Sequence, residues 1–344
     1  MKKVLLLDTS IASNNMGDEI IMRSAEQYLD HRLFKGYYKL RYPTHTVAFT
    51  AYSSKGWEKA EIVRGADMKF IFGTDLLCKD MLHPINLWNI NYLNCSPLKG
   101  TVTVGCGCSL EKIKHINLYT RKLYDKVLSH EFIHSTRDEE TKLFLEQMGF
   151  KAVVTGCPTL WSLTPEVCKN IPATKSDSVV FTLSGTSKDL KKDQYLIDTL
   201  NRNYNEIYFW VQTIFDLEYL NEFKNIENIN VLNCDLNGYS EFLLSHDVDY
   251  VGIRLHGGIF AMQHNKRTII IAIDHRARNI NLNNHLNCIE RNAIEGIDEM
   301  INSDIVTNVK IDYKTLKGWF DQFGGGVHNI CSISSDSLPQ QCYL

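Results

Sequence analysis

The sequence has no CxxC pair among its ten cysteines, no uninterrupted apolar run of about 18 residues, and no excess of basic charge. The first absence goes with a start, MKKVLLLDTS, that carries no recognisable secretory signal and reaches Asp8 almost at once. Together they lead us to expect a reduced, cytoplasmic protein. The second argues against a membrane span. The third, a formal net charge of -3, argues against wholesale nucleic-acid binding, so any anionic ligand must be met by a few placed residues. Cys106-Gly107-Cys108 is the one close cysteine pair, and it lacks the second half that a zinc site of the usual type requires. We read these two as strand and loop residues. No acidic or histidine cluster demands a metal, and no internal repeat at a fixed period is visible.

What is present is an ordinary globular composition, 44% hydrophobic and 22% charged over 344 residues, a length that suggests two domains. Apolar runs of strand length alternate with helical periodicity, the pattern of an α/β fold with mainly parallel sheets. KKVLLLD, HTVAFTA, MKFIFGT, GTVTVGC, EFIHSTR and KAVVTG read as strands of a first Rossmann-like domain, residues 1–165. DEIIMRSAEQYLDHRLF reads as its first helix. The segment from Thr164 to Ser178 has two prolines and no apolar periodicity, as linkers do. SVVFTLSG, NEIYFWVQT, INVLNCD, DYVGIRL and RTIIIAID then form a second Rossmann-like domain, residues 178–325, followed by a Gly, Ser and Gln rich tail, 326–344.

Within DYVGIRLHGGIFAM, a strand gives way to a helix, which places Arg254, Leu255, His256, Gly257 and Gly258 at the strand's carboxyl end and the following turn. Open α/β sheets bind ligands there. The glycines would let backbone approach a ligand, the free N–H groups of the first helical turn suit a phosphate or carboxylate, and Arg254 adds a planar fork for the same anion. His256, with an ordinary pKa near ~6.5, suits proton transfer at neutral pH. The same spacing equally allows Arg254 to pair with a structural carboxylate and His256 to cap a turn. Arg137 and Asp138 hold the equivalent position in the first domain, after a short strand and before a helix, where Arg137 alone would read equally well as a surface ion pair. Two arginines in facing domains could clamp one dianionic ligand from both sides.

SNNMGDEII, STRDEET, VTGCPTLW and GIRLHGGIFAMQHNKRTIIIAID, in this order along most of the chain, resemble the polysaccharide pyruvyl transferase family. The resemblance implies two Rossmann-like domains facing a cleft, as in glycosyltransferases of the GT-B architecture. It also implies transfer of pyruvate from phosphoenolpyruvate to two hydroxyls of a sugar as a ketal, with release of phosphate and no cofactor. Arg137 and Arg254, with Leu255, Gly257 and Gly258, would bind the donor, and His256 would be general acid and base. Asn15, Gly17 and Asp18 match the family's amino-terminal loop on the acceptor side, where Asp18 could orient or deprotonate the sugar. The acceptor could be lipid-linked, with peripheral contact at the inner face of the membrane. The chain departs from the family in three places. Thr74 and Asp75 stand where glycines are more frequent, and Asp75 either hydrogen-bonds a sugar hydroxyl or caps the following helix. Cys157 replaces a frequent aspartate, and Arg276 and Arg278 stand where a lysine is usual. A nucleotide-sugar glycosyltransferase, a non-catalytic binder of anionic ligands and a plain scaffold are the competing readings.

Overall fold

The computed structural model describes residues 1–30, 32–47, 54–83, 86–109 and 115–324. Its strands are β1 (Lys3–Asp8), β2 (Tyr38–Pro43), β3 (Met68–Phe72), β4 (Leu77–Cys78), β5 (Thr101–Val104), β6 (Cys108–Ser109), β7 (His134–Thr136), β8 (Ala152–Val154), β9 (Ser178–Thr182), β10 (Glu206–Phe209), β11 (Ile229–Val231), β12 (Asp249–Gly252), β13 (Thr268–Ala272) and β14 (Cys288–Glu290). All named pairings are parallel. The first sheet runs β2-β1-β3-β5 and the second β11-β10-β9-β12-β13-β14, the doubly wound order of a Rossmann fold. The runs VLLL within KVLLLD and IIIA within TIIIA are continuously apolar because helices cover both faces of a parallel sheet.

β7 and β8 extend the first sheet through side chains in place of a regular ladder. Thr103 N donates to His134 Nδ1 (3.2 Å), Thr103 Oγ1 to the Ser135 carbonyl (2.9 Å), and Gly105 N to Ser135 Oγ (2.8 Å). Since Nδ1 accepts, Nε2 carries the proton and donates to the Ser129 carbonyl at 2.9 Å. Burial pushes the His134 pKa down to about 4, in keeping with this neutral tautomer.

Three expectations change. The strand after the first helix is YKLRYP, Tyr38–Pro43, and not HTVAFTA; His45–Val47 are not strand, and residues 48–51 lie outside the described residues. β2 is an edge strand whose Lys39 and Arg41 are neutralised by Glu26, Asp30 and Asp8, so it carries no apolar run to be read. The expected linker is packed: Thr164 caps the short helix Pro165–Lys169, and Cys168 and Ile171 are buried against Leu163, Ile259 and Met262. The second domain also does not run to 325. The helix Tyr313–Asp321 returns to the first domain, where Leu316, Trp319 and Phe320 pack among Val4, Leu6, Met22 and Tyr28, and Trp319 Nε1 donates to the Ile133 carbonyl at 2.7 Å. The apolar face of a helix announces that it will be buried, and nothing in it says against which domain. The tail, 326–344, lies outside the described residues.

Candidate active site

The carboxyl ends of the two sheets face each other, and the predicted site residues gather between them. Asn15 Oδ1 accepts from Gly17 N (3.0 Å) and from Gln212 Nε2 of the second domain (2.7 Å), while Met16 N donates to the Gln212 carbonyl (3.2 Å). Asn15 thus caps the helix Met16–Asp30 and fastens it across the cleft. Gly17 sits close under this contact, since a Cβ there would lie 3.0 Å from Gln212 Nε2 and press on the Asn15–Gln212 hydrogen bond. One turn on, Asp18 is buried, accepts from Ser13 Oγ at 2.6 Å and sits 3.9 Å from His45 Nε2. Burial raises its pKa to about 6, with the Ser13 hydroxyl and Arg276 acting in the opposite direction.

Arg137 leaves β7 deep in the cleft wall, donating from Nη2 to Asp75 (2.6 Å) and from Nε to Asp138 (3.1 Å), the residue that caps the next helix, Glu139–Glu146. The paired carboxylates hold its pKa above the ordinary arginine value in spite of burial. Gly107 makes room for this, since a Cβ at that position would strike the Arg137 guanidinium and the Asp75 carboxylate. No helix follows Asp75, which precedes the two-residue strand β4, so the capping alternative drops out. Arg276, on the helix His275–Asn284 of the second domain, binds Asp274 at 2.6 Å and reaches to 3.8 Å of Asp75. The sequence marked Arg276 only as a substitute for a lysine; in the fold it is a second guanidinium facing Arg137.

Arg254 is held differently. Its Nη2 pairs with the fully buried Asp216 and donates to Thr213 Oγ1 (3.1 Å), and its Nε donates to Asp216 (3.1 Å) and to the Leu183 carbonyl (3.1 Å). This is the pairing with a structural carboxylate weighed above, and among the described residues Nη1 alone has no protein partner. Asp216 itself accepts from Thr213 N (3.0 Å) and Gly185 N (2.9 Å). Its sequence signal was the capping box Thr213-x-x-Asp216 of the next helix, which says nothing of Arg254.

Leu255 opens the helix Leu255–Gln263, and half-buried His256 follows, its Nε2 3.7 Å from Cys157 Sγ. Burial, with Arg276 and Arg137 adding to it, pushes the His256 pKa down to about 3, so the imidazole is neutral at neutral pH. Gly257 and Gly258 have a packing role on the side where a Cβ would stand. A Cβ on Gly258 would fall 2.7 Å from the Tyr250 ring and one on Gly257 3.2 Å from Trp210, so they let helix and sheet close together. The Cys106 and Cys108 thiols are buried and shifted upward, Cys106 to about 12, and among the described residues no three His, Cys, Asp or Glu side chains gather as a metal site would. None of the described helices is long and apolar enough to cross a membrane.

No curated protein matches the chain. Among solved structures it is similar to a UDP-GlcNAc 2-epimerase from Methanocaldococcus jannaschii in complex with UDP-GlcNAc and UDP (13% identity, 93% of this chain and 98% of that one, TM-score 0.48). It is also similar to S. aureus MnaA in a co-structure with UDP (10% identity, 90% and 91%, TM-score 0.46) and to the E. coli heptosyltransferase WaaC with ADP (13% identity, 87% and 99%, TM-score 0.42). The family model for polysaccharide pyruvyl transferase matches residues 15–275, a span that holds Asn15, Asp18, Asp75, Arg137, Arg254 and His256. The chain belongs to the polysaccharide pyruvyl transferase family.

Proposed function

We propose that the protein transfers the pyruvyl group of phosphoenolpyruvate to two hydroxyls of a sugar in a polysaccharide or lipid-linked glycan precursor, forming a cyclic ketal and releasing phosphate. The observation that carries this reading is the convergence of Arg137, Arg276 and the helix start at Leu255–His256 on one cleft, in a chain of this family. Two guanidiniums from opposite domains suit a donor with a phosphate at one end and a carboxylate at the other. Arg254 Nη1 and the N–H groups of the first helical turn add hydrogen-bond donors beside them.

The chemistry adds a proton to the donor's methylene carbon, making it a methyl. A sugar hydroxyl attacks the adjacent carbon and loses its proton, the carbon–oxygen bond to phosphate breaks, and a second hydroxyl closes the ring and loses its proton. On this reading His256 carries these protons. Burial and two nearby cations, Arg276 and Arg137, keep it neutral. An anionic donor between Arg137 and Arg276 would offset those cations and raise its basicity, against the larger effect of burial. Asp18 and the Asn15–Gly17 turn would meet the acceptor hydroxyls, and no cofactor enters the scheme.

The test is the melting temperature of the protein with phosphoenolpyruvate, run against free phosphate, pyruvate and several nucleotide sugars, since a ligand that binds only the folded state raises it. Stabilisation by phosphoenolpyruvate above that by phosphate or pyruvate, followed by a mass increase on a candidate glycan, is the expected result. Stabilisation by a nucleotide sugar alone would replace this reading with a glycosyltransferase.

A further inference from the structure

Three arginines in the cleft meet four aspartates: Arg137 with Asp75 and Asp138, Arg254 with Asp216, and Arg276 with Asp274 and Asp75. An anionic ligand therefore meets no surplus of positive charge from these arginines, and displacing one carboxylate would create one. Three of the four are tied to the backbone. Asp138 accepts from Thr141 N (2.9 Å), Asp274 from Ala277 N (3.1 Å), and Asp216 from Thr213 N and Gly185 N. Asp75, among the described residues, accepts from no backbone N–H and is held by Arg137 and Arg276 alone.

Its loop is also set for the purpose. The chain leaves β3 through Gly73 (φ +54°) and Thr74 (φ +39°), and a β-branched residue at positive φ is a strained conformation of the kind stored at functional sites. The strain brings one carboxylate to the point where guanidiniums of both domains meet, with Gly107 clearing the space.

We propose that Asp75 is an internal competitor for the anionic donor, occupying the Arg137–Arg276 anion site until the donor displaces it. The inference rests on the pyruvyl transfer reading for the identity of the donor, and on the geometry alone for the site. A dianionic ligand outbids a single carboxylate at two guanidiniums, whereas a monoanion gains little by the exchange, so Asp75 selects for the more highly charged ligand. The displaced carboxylate is then free to accept a hydroxyl of the acceptor.

Calorimetric titration of wild type, Asp75→Asn and Asp75→Ala with inorganic phosphate and with phosphoenolpyruvate tests this, together with a crystal structure of the wild-type phosphate complex. Both variants should bind phosphate about tenfold more tightly than wild type, and in the complex the Asp75 carboxylate should have left hydrogen-bond reach of Arg137. Unchanged or weaker affinity for both anions in the two variants overturns the proposal, as does phosphate bound between the arginines with Asp75 still on Arg137. If phosphate binding tightens while phosphoenolpyruvate binds none of the three proteins, the competitor stands and the donor assignment falls.

Discussion

Replacing Asp18 with asparagine should stabilise the protein, and only above a certain pH. Asp18 is buried, with a side chain 7% exposed, and its pKa is raised from 3.8 to about 6, so its ionised form is penalised in the fold and free of penalty when unfolded. Below pH 3.8 both states are protonated and the residue contributes no penalty. As pH rises from there through about 6, the folded state holds a proton that the unfolded state has released, and stability falls by ~1.36 kcal/mol per pH unit, or about 3 kcal/mol in all. Asparagine keeps the shape and can still accept from Ser13, without the charge. Asp18→Asn should therefore melt with wild type at pH 3.5 and about 6 °C above it at pH 8, taking ~2 °C per kcal/mol. Melting curves at half-unit steps across this window read the difference directly. A difference that is flat with pH, or a variant less stable than wild type at pH 8, would refute the claim that Asp18 is held against its charge. The stabilised variant should lose turnover if Asp18 handles the acceptor, the trade expected where a strained site serves function.

His256→Ala should abolish ketal formation while the dissociation constant for phosphoenolpyruvate stays within about threefold of wild type, because the imidazole moves protons and the arginines hold charge; a large loss of donor affinity in this variant would move His256 into binding. Arg254→Ala should act on stability first. It leaves the fully buried Asp216 without its cation, a loss of about 3–5 kcal/mol, read by urea denaturation. Arg254→Ala combined with Asp216→Asn should recover much of it, and no recovery in the pair would show that the guanidinium's bonds to Thr213 and Leu183, and not the charge pairing, hold this loop.

Much of the frame was legible because parallel strands buried on both faces are written as unbroken runs of Val, Ile, Leu and Phe. β2 and β14 were not: β2 lies at the edge of its sheet with its charges answered by the helix Met16–Asp30 and by Asp8, and β14 is three half-buried residues at the opposite edge of the other. Positions in the site were legible for a related reason, since a polar residue after an apolar run marks the carboxyl end of a strand. Partners were not. Arg254 could be placed at its turn, but Asp216 lies 38 residues away in sequence and signals only its own helix start. Gly257 and Gly258 read as room for a ligand, and their second reason, the close approach of Tyr250 and Trp210 from the sheet, is visible only in three dimensions.

Protonation was the least legible property, for a physical reason. From reference values, the histidine is the residue near neutrality and the aspartate is ionised. Both side chains lie where two domains close on one another, and removal from water disfavours whichever form is charged. The same burial therefore drives His256 down to about 3 and Asp18 up to about 6, in opposite directions from one cause. Arg276 acts on both in the lowering sense, deepening the shift of the histidine and limiting that of the aspartate. An anion bound beside Arg276 would weaken that influence on both groups together, raising the proton affinity of each while leaving the larger effect of burial in place.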